Sequence, residues 1–429
     1  MTFDPIAPSE TPRQAAPTRA PALVRLLRRL GVARSRTDPD SLARRILLPS
    51  LPISDEEHAR TRLHDAGQRL ARQEDWPRLA ARIAQADAAR RHTPGGAPAA
   101  DLLAEGARAD AVAAATDAVA DGRAPDPAGL DALERVRAEH ADSYAIALVV
   151  AHTHMDIGRA WRTGGATGGA TGTVTGTAAH DREARFLDHF RRAGDLLAPF
   201  DPGTRDAPSL AAAHCALLAA RPAPRRRVAD DYARLIALDP GCAQHLRALG
   251  AALLPARFGS HEEIGLAARR MAAQHGTAAY AWVWFDALAL DPAGLGTVDP
   301  GAFTDGLRAI AAQRPDQHVI NEIAAFCGLT MAPRCGPARL PAAPERARAA
   351  IHACLDWLVA RHLHELHPLI WAQATTGPGP APALPPRRTL IARGRQAALR
   401  VIAARFSDTL ADGGALGFSS AGMYRLPGL

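Results

Sequence analysis

Two amphipathic, alanine-rich segments in the middle of the chain each carry an aromatic residue and then stop at Asp-Pro. They read Tyr232-Ala-Arg-Leu-Ile-Ala-Leu-Asp239-Pro240 and Trp284-Phe-Asp-Ala-Leu-Ala-Leu-Asp291-Pro292, and further Asp-Pro pairs stand at Asp201-Pro202 and Asp299-Pro300. Aspartate favours a turn or a cap, and proline cannot continue the helix before it. A chain punctuated in this way is cut into helices joined by short connections, which is the mark of antiparallel helical pairs. The composition agrees. Of the residues 47% are hydrophobic but only 5% aromatic, so the core must be built from Ala, Leu, Val and Ile. Alanine, leucine and arginine dominate, and all three are strong helix formers. The expected class is all-α.

The residue inventory excludes several kinds of chemistry. All 51 Lys+Arg residues are arginine, a bias that a GC-rich genome accounts for. Without a lysine amine there is no Schiff base for pyridoxal phosphate and no P-loop lysine. The strand lysine of a protein kinase and the Ser-x-x-Lys acylation pair are absent too. The net charge is +7 with a pI near 9.8, spread along the chain apart from Arg25, Arg28, Arg29 and Arg225, Arg226, Arg227. No aromatic residues interleave with basic strands and no recognition helix is visible, so nucleic-acid binding is not expected. Five scattered cysteines, an odd number, fit a reduced compartment. No signal peptide and no apolar run long enough for a membrane span are visible. The expected location is cytoplasmic.

Along the chain, residues 1–52 read as a mostly disordered segment carrying a short basic helix at 22–36, which could pack on its own domain or lie on an anionic surface. A helical-repeat domain is expected over 53–331. Ser54-Asp-Glu-Glu57 and Ser260-His-Glu-Glu263 have the pattern of capping boxes, and Trp76-Pro77 places proline in a first helical turn. Helices are expected at about 54–73, from 76, and at 98–120, 128–140, 143–162, 180–198, 208–220, 225–238, 242–254, 260–275, 277–289, 301–313 and 316–328. The low-complexity Gly/Thr stretch 164–177 is read as a flexible insertion. Residues 332–429, with Pro/Gly linkers, should hold two helices, 345–366 and 387–412, capping the stack or forming a separate module.

The segment 229–293 resembles tetratricopeptide-type hairpins. Leu249-Gly250 falls at that motif's Leu-Gly pair, and Tyr232 and Trp284 at the aromatic position of its second helix. Two features depart from the pattern. The prolines at 202, 240 and 292 are unevenly spaced against a repeat of about 34 residues, and Val228 and Tyr280 replace the small alanine. The resemblance therefore implies an α-α superhelix, or solenoid, of irregular period. The stretch from Tyr144 to about Thr330 is also similar to bacterial proteins known only as a helical domain of unknown function, through Met155-Asp-Ile-Gly-Arg-Ala-Trp161 and Leu253-Leu-Pro-Ala-Arg-Phe-Gly-Ser-His-Glu-Glu263. That similarity implies no activity.

Few residues suggest chemistry. His152-Thr-His154-Met-Asp156 resembles the metal signature of metallo-β-lactamase-like hydrolases, but Ile157 stands where the next histidine belongs. In a helix residues two apart diverge, so His152 and His154 would face different sides, while His152, Asp156 and Arg159 would share one. His362-Leu-His364-Glu365-Leu-His367 lacks the spacing of a zincin, Cys327 and Cys335 are too far apart for a zinc knuckle, and Gly417-Phe-Ser-Ser-Ala-Gly422 misses the nucleophile elbow, in what reads as a loose tail. Tyr280, Trp282, Trp284 and Phe285 read as packing between helices. The sequence thus leads to a non-catalytic scaffold or adaptor for protein or peptide partners, with no catalytic residue, cofactor or metal assigned. On that expectation His152, Asp156, Arg159, Leu249 and Gly250 line the binding surface. The alternative is a metal-dependent hydrolase using His152, His154 and Asp156, which requires residues 150–157 to be extended.

Overall fold

The computed structural model describes residues 38–163, 176–222, 224–333, 341–376, 385–411 and 413–427. The basic helix expected at 22–36 lies outside them, as does most of the Gly/Thr stretch. The chain is predominantly helical. In order the elements are α1 (Pro39–Ala43), β1 (Ile46–Leu47), α2 (Asp55–Arg72), α3 (Trp76–Ala88), α4 (Ala99–Ala120), α5 (Ala128–Glu139), α6 (Tyr144–Thr163), α7 (Gly176–Leu197), α8 (Pro202–Arg205), α9 (Pro208–Ala216), α10 (Arg225–Leu238), α11 (Ala243–Ala252), α12 (His261–His275), α13 (Thr277–Leu290), α14 (Pro300–Ala312), α15 (Gln317–Ala325), α16 (Ala342–Ala353), α17 (Leu355–Arg361), α18 (Pro368–Thr376), α19 (Arg387–Arg405), α20 (Ser407–Ala411), β2 (Ala415–Ser419) and β3 (Gly422–Leu426).

Side chains placed just ahead of these helices explain where they begin. Ser54 and Ser260 each accept from the backbone N–H three residues on, at 3.2 Å, opening α2 and α12. Asp201 accepts from Thr204 N at 2.7 Å, and Asp299 from Gly301 N at 2.8 Å and Ala302 N at 3.1 Å, so these Asp-Pro pairs start α8 and α14. Each such cap contributes about 1 kcal/mol. Small residues then let helices approach closely. A methyl group at Gly67 of α2 would meet Leu103 O of α4, and one at Gly106 of α4 would meet His64 O of α2. Gly250 of α11 lies against Val283 O of α13, and Gly394 of α19 against Pro368 O of α18.

The buried apolar residues form two large clusters. One joins α2–α7 and α9 and ends at Leu217; the other begins at Leu218 and takes in α10–α19. The second also contains Leu42, Ile46 and Leu48, together with Leu416 and Phe418. The earliest and latest described segments therefore share one core. Residues 38–52, expected within the disordered segment, are ordered: β1 pairs parallel with β2, Leu51 N donates to Leu366 O, and Arg400 pairs with Asp40. The expected loose tail is a β-hairpin, β2 antiparallel to β3, completing a three-stranded sheet β1-β2-β3. It forms because β1, from the opposite end of the chain, supplies a neighbour.

The C-terminal helices also depart from expectation. The helix expected at 345–366 is broken into α16 and α17 at Cys354 and then gives way to an irregular run through 367, and α15 ends in a π turn, Phe326–Thr330. Asn321, fully buried, holds that run. Its amide donates to Gln317 O and Glu365 O and accepts from His367 N and Trp371 Nε1. The helix expected at 387–412 ends at Arg405, with α20 after it. No helix among the described residues is long and apolar enough to cross a membrane.

Candidate metal centre

The seam between the two cores is polar, and its polar groups converge at one point. The connection from α3 to α4 is a tight loop: Thr93 N donates to Ala97 O, Ala97 N to Thr93 Oγ1 and Ala99 N to Arg91 O. Two glycines make it possible. Gly96 has φ +87°, a left-handed conformation that favours glycine. Gly95 lies so near Glu56 and His318 that a methyl group there would stand 2.7 Å from each, and its N–H donates to buried Glu56 at 2.6 Å. Arg90 ties the end of α3 to the end of α10, donating to Leu238 O at 2.7 Å, and also pairs with Asp206. Next to it, His92 meets Asp239.

Asp239, Cys242 and His245 reach that point from the α10–α11 connection, Asp239-Pro-Gly-Cys242-Ala-Gln-His245. Cys242 N donates to Asp239 O and His245 N to Cys242 O, both at 3.2 Å. Two successive three-residue turns place residues i, i+3 and i+6 over one another, so the three side chains share a face. His92 Nε2 lies 2.7 Å from Asp239 Oδ2, and the ligand atoms of His92, Asp239 and Cys242 all lie within 4.8 Å of one another. His245 Nε2 is 3.7 Å from the same carboxylate oxygen, too far for a hydrogen bond, and has no other partner although His245 is only 5% exposed. Cys242 Sγ faces Gly96 O at 3.8 Å.

The electrostatics follow from this crowding. The Asp239 carboxylate holds the His92 imidazole up at about 10. Burial alone would lower His245, but Asp239 and Cys242 outweigh it and raise it to about 9. Burial alone would likewise raise Cys242 and Asp239. The two imidazoles instead bring the thiol down to about 7 and hold the carboxyl well below its usual range. Both acidic donors are thus stabilised in the ionised form that coordinates a metal, while the histidines must give up protons to the ion. Two imidazoles, a thiolate and a carboxylate suit zinc. Donors on a tetrahedral zinc stand roughly 3.3–3.8 Å apart. His245 and Asp239 already have that spacing, His92 and Asp239 need to part by a few tenths of an ångström, and His245, outside the cluster of the other three, has to swing toward it to complete the shell.

The residues singled out in the sequence lie elsewhere. Residues 144–163 are helical, so the extended backbone that a His152/His154/Asp156 metal site needs is not present. His154 Nε2 bonds Glu134 at 2.9 Å and its Nδ1 faces His189 at 3.0 Å, and Glu134 is in turn clamped by Arg192. Because His154 uses opposite nitrogens, these groups do not converge on a common point. Asp156 is held by Arg108 at 2.7 Å and Arg159 at 2.9 Å on the face shared with His152. Burial, with Arg108 nearby, pushes the His152 imidazole down to about 3. Leu249 and Gly250 are buried in the α11–α13 contact, and Tyr280, Trp282, Trp284 and Phe285 are core. His367 pairs locally with Glu365.

Asp239 belongs to one of the Asp-Pro pairs that punctuate the helices, yet its carboxylate caps no helix. Asp291, at the matching position, accepts from Ala293 N and pairs with His261. The local signal at the centre is Asp-x-x-Cys-x-x-His, three donor types three residues apart at a helix start. The fourth donor, His92, lies 147 residues before Asp239 and has no local signal. Comparison with protein-family models, with curated proteins and with solved structures found no match.

Proposed function

We propose that this chain is a helical-stack protein whose two core halves are joined by a zinc-class divalent ion, held by His92, Asp239, Cys242 and His245. The observation that carries this reading is the buried, unpartnered Nε2 of His245 beside three converging donors. Leaving such a nitrogen unsatisfied costs about 1–3 kcal/mol, and a metal bond offsets that cost. Four protein donors fill a tetrahedral shell, the arrangement of structural rather than catalytic zinc. His92 comes from the half built on the first core and the other three donors from the half built on the second, so the ion spans the seam.

Metal analysis of the full chain tests the reading. About one zinc per chain is expected, retained through dialysis and lost in Cys242→Ser and His92→Ala variants whose helical content is unchanged. Wild-type protein that takes up no zinc after reconstitution would overturn it.

For the architecture, the resemblance to an irregular tetratricopeptide-like stack is supported by packing between alternate helices, α2 on α4, α4 on α6 and α11 on α13. A scaffold role for protein or peptide partners is supported by a groove of about 780 Å³, with an alanine-rich floor, Trp76 at one side and Arg72, Asp110, Arg135 and Glu139 at its rim. If a partner binds there, an Ala132→Trp variant loses it; unchanged binding counts against the groove. Four buried free cysteines, Cys215, Cys242, Cys327 and Cys354, suit the cytoplasmic location expected from the sequence, which cell fractionation tests.

A further inference from the structure

A cleft of about 450 Å³ opens beside the metal centre, between α2, α3 and the α3–α4 loop. Arg62 and Arg69 reach it from α2, Arg82 from α3 and Arg91 from the loop, with His92 and Thr93 on one wall. Arg62 and Arg69 are two helical turns apart and so share a face. Ala59, Leu63 and Ala66 of α2 and Ala99 at the start of α4 supply its apolar lining, and no carboxylate lines the cleft.

The charge balance here differs from that of other arginines in the chain. Arg72 is paired with Asp110, Arg90 with Asp206 and Arg247 with Asp286 and Glu322. The guanidinium groups of Arg62, Arg69, Arg82 and Arg91 donate to no described group. Four like charges around one concavity repel one another and raise the local concentration of anions. A guanidinium presents a rigid fork of donors that matches phosphate oxygens in pairs. One carboxylate would neutralise a single arginine, whereas a phosphoryl group carries up to two charges and three acceptor oxygens. The volume falls within the range of small-molecule sites, and the apolar floor gives an organic portion a surface to lie on.

We propose that this cleft binds a small phosphorylated molecule, its phosphoryl oxygens held by Arg62, Arg69, Arg82 and Arg91 and its organic part on the alanine floor. The site stands on its own residues and does not require the ion at His92.

Calorimetric titration of the full chain with inorganic pyrophosphate tests it. Saturable one-to-one binding is expected, weakened at least about tenfold in an Arg69→Gln/Arg82→Gln double variant, the loss of one charge-assisted contact or more. The four side chains lose no described partner and two like charges are removed, so the double variant should melt no lower than wild type. An Arg395→Gln variant, exposed on α19, should bind as wild type, and so should Cys242→Ser. Absence of saturable binding would overturn the proposal, as would equal weakening by Arg395→Gln. Loss of binding in Cys242→Ser would place the anion on the metal and overturn it too. Tighter binding of an RNA oligonucleotide than of pyrophosphate would assign the arginines to a polynucleotide backbone instead.

Discussion

Replacing Gly250 with alanine sets two opposed effects against each other, and the structure decides between them. In a helix interior alanine is better than glycine by about 0.8–1.0 kcal/mol. At Gly250, however, the added Cβ would stand 1.7 Å from Val283 O and 2.8 Å from its carbonyl carbon, where real Cβ contacts essentially never fall under 3.0 Å. The helices α11 and α13 must separate by more than about 1 Å, and the interior has no slack to absorb that. Tyr280, Val283, Trp284 and Phe285 of α13 and Leu246 and Leu249 of α11 are all buried there. Overpacking costs about 1–3 kcal/mol and sometimes more, and a clash this close with backbone falls at the upper end, so after the propensity gain the net effect is a destabilisation of about 2 kcal/mol. Gly194 of α7 is the control. The nearest atom to a methyl group there is Leu217 Cδ1 at 4.0 Å, so Gly194→Ala should stabilise by about 0.5–1 kcal/mol. Urea unfolding midpoints of the two variants against wild type measure both. Gly250→Ala as stable as wild type, or shifts of the same sign for both, would mean that α11 and α13 do not pack this closely.

Other perturbations have similarly defined outcomes. Arg247 holds Asp286 and Glu322 together and lies over Trp282 and Phe285. Arg247→Met leaves two part-buried carboxylates without their cation and should cost about 2–4 kcal/mol by urea unfolding. Adding Asp286→Asn and Glu322→Gln should restore part of the loss. Burial holds His152 down at about 3 and His189 at about 4, from an ordinary 6.5. The unfolded chain therefore takes up protons below about pH 6.5 that the folded chain refuses, and stability falls from there toward pH 4 and below. Arg108, Asp156 and Arg159 face His152, while His154, Asp188 and Arg185 face His189. Unfolding midpoints at pH 7, 5.5 and 4.5 should show a shallower decline in a His152→Gln/His189→Gln variant, and parallel declines would contradict the assignment.

Much of the helical framework is written locally. Ser54, Ser260 and Trp76-Pro77 mark helix starts that the structure places within a residue or two. The Leu249-Gly250 pair sits where one helix must approach another's backbone. The Asp-Pro pairs show the limit of such reasoning. In sequence they are equivalent, and Asp201, Asp291 and Asp299 do cap. Asp239 does not, because its carboxylate turns to His92 instead, at 2.7 Å. The Asp239-x-x-Cys242-x-x-His245 run does not stand out in the sequence, where Cys242 reads as one of five scattered cysteines; only the arrival of His92 turns it into a cluster. The C-terminal hairpin was illegible for the same reason. Gly417 and Gly422 weaken its strands, and the pairing of β1 with β2 comes from the other end of the chain. What pattern reasoning misses here is contact between distant segments.

X-ray absorption at the zinc edge of the purified full chain bears most directly on the centre. One sulfur at about 2.3 Å, from Cys242, is expected together with three nitrogen or oxygen scatterers at about 2.0–2.1 Å, from His92, Asp239 and His245. The Cys242→Ser variant should retain no zinc. A shell of light atoms alone in the wild-type protein, or no retained zinc to measure, would contradict a centre of these four donors.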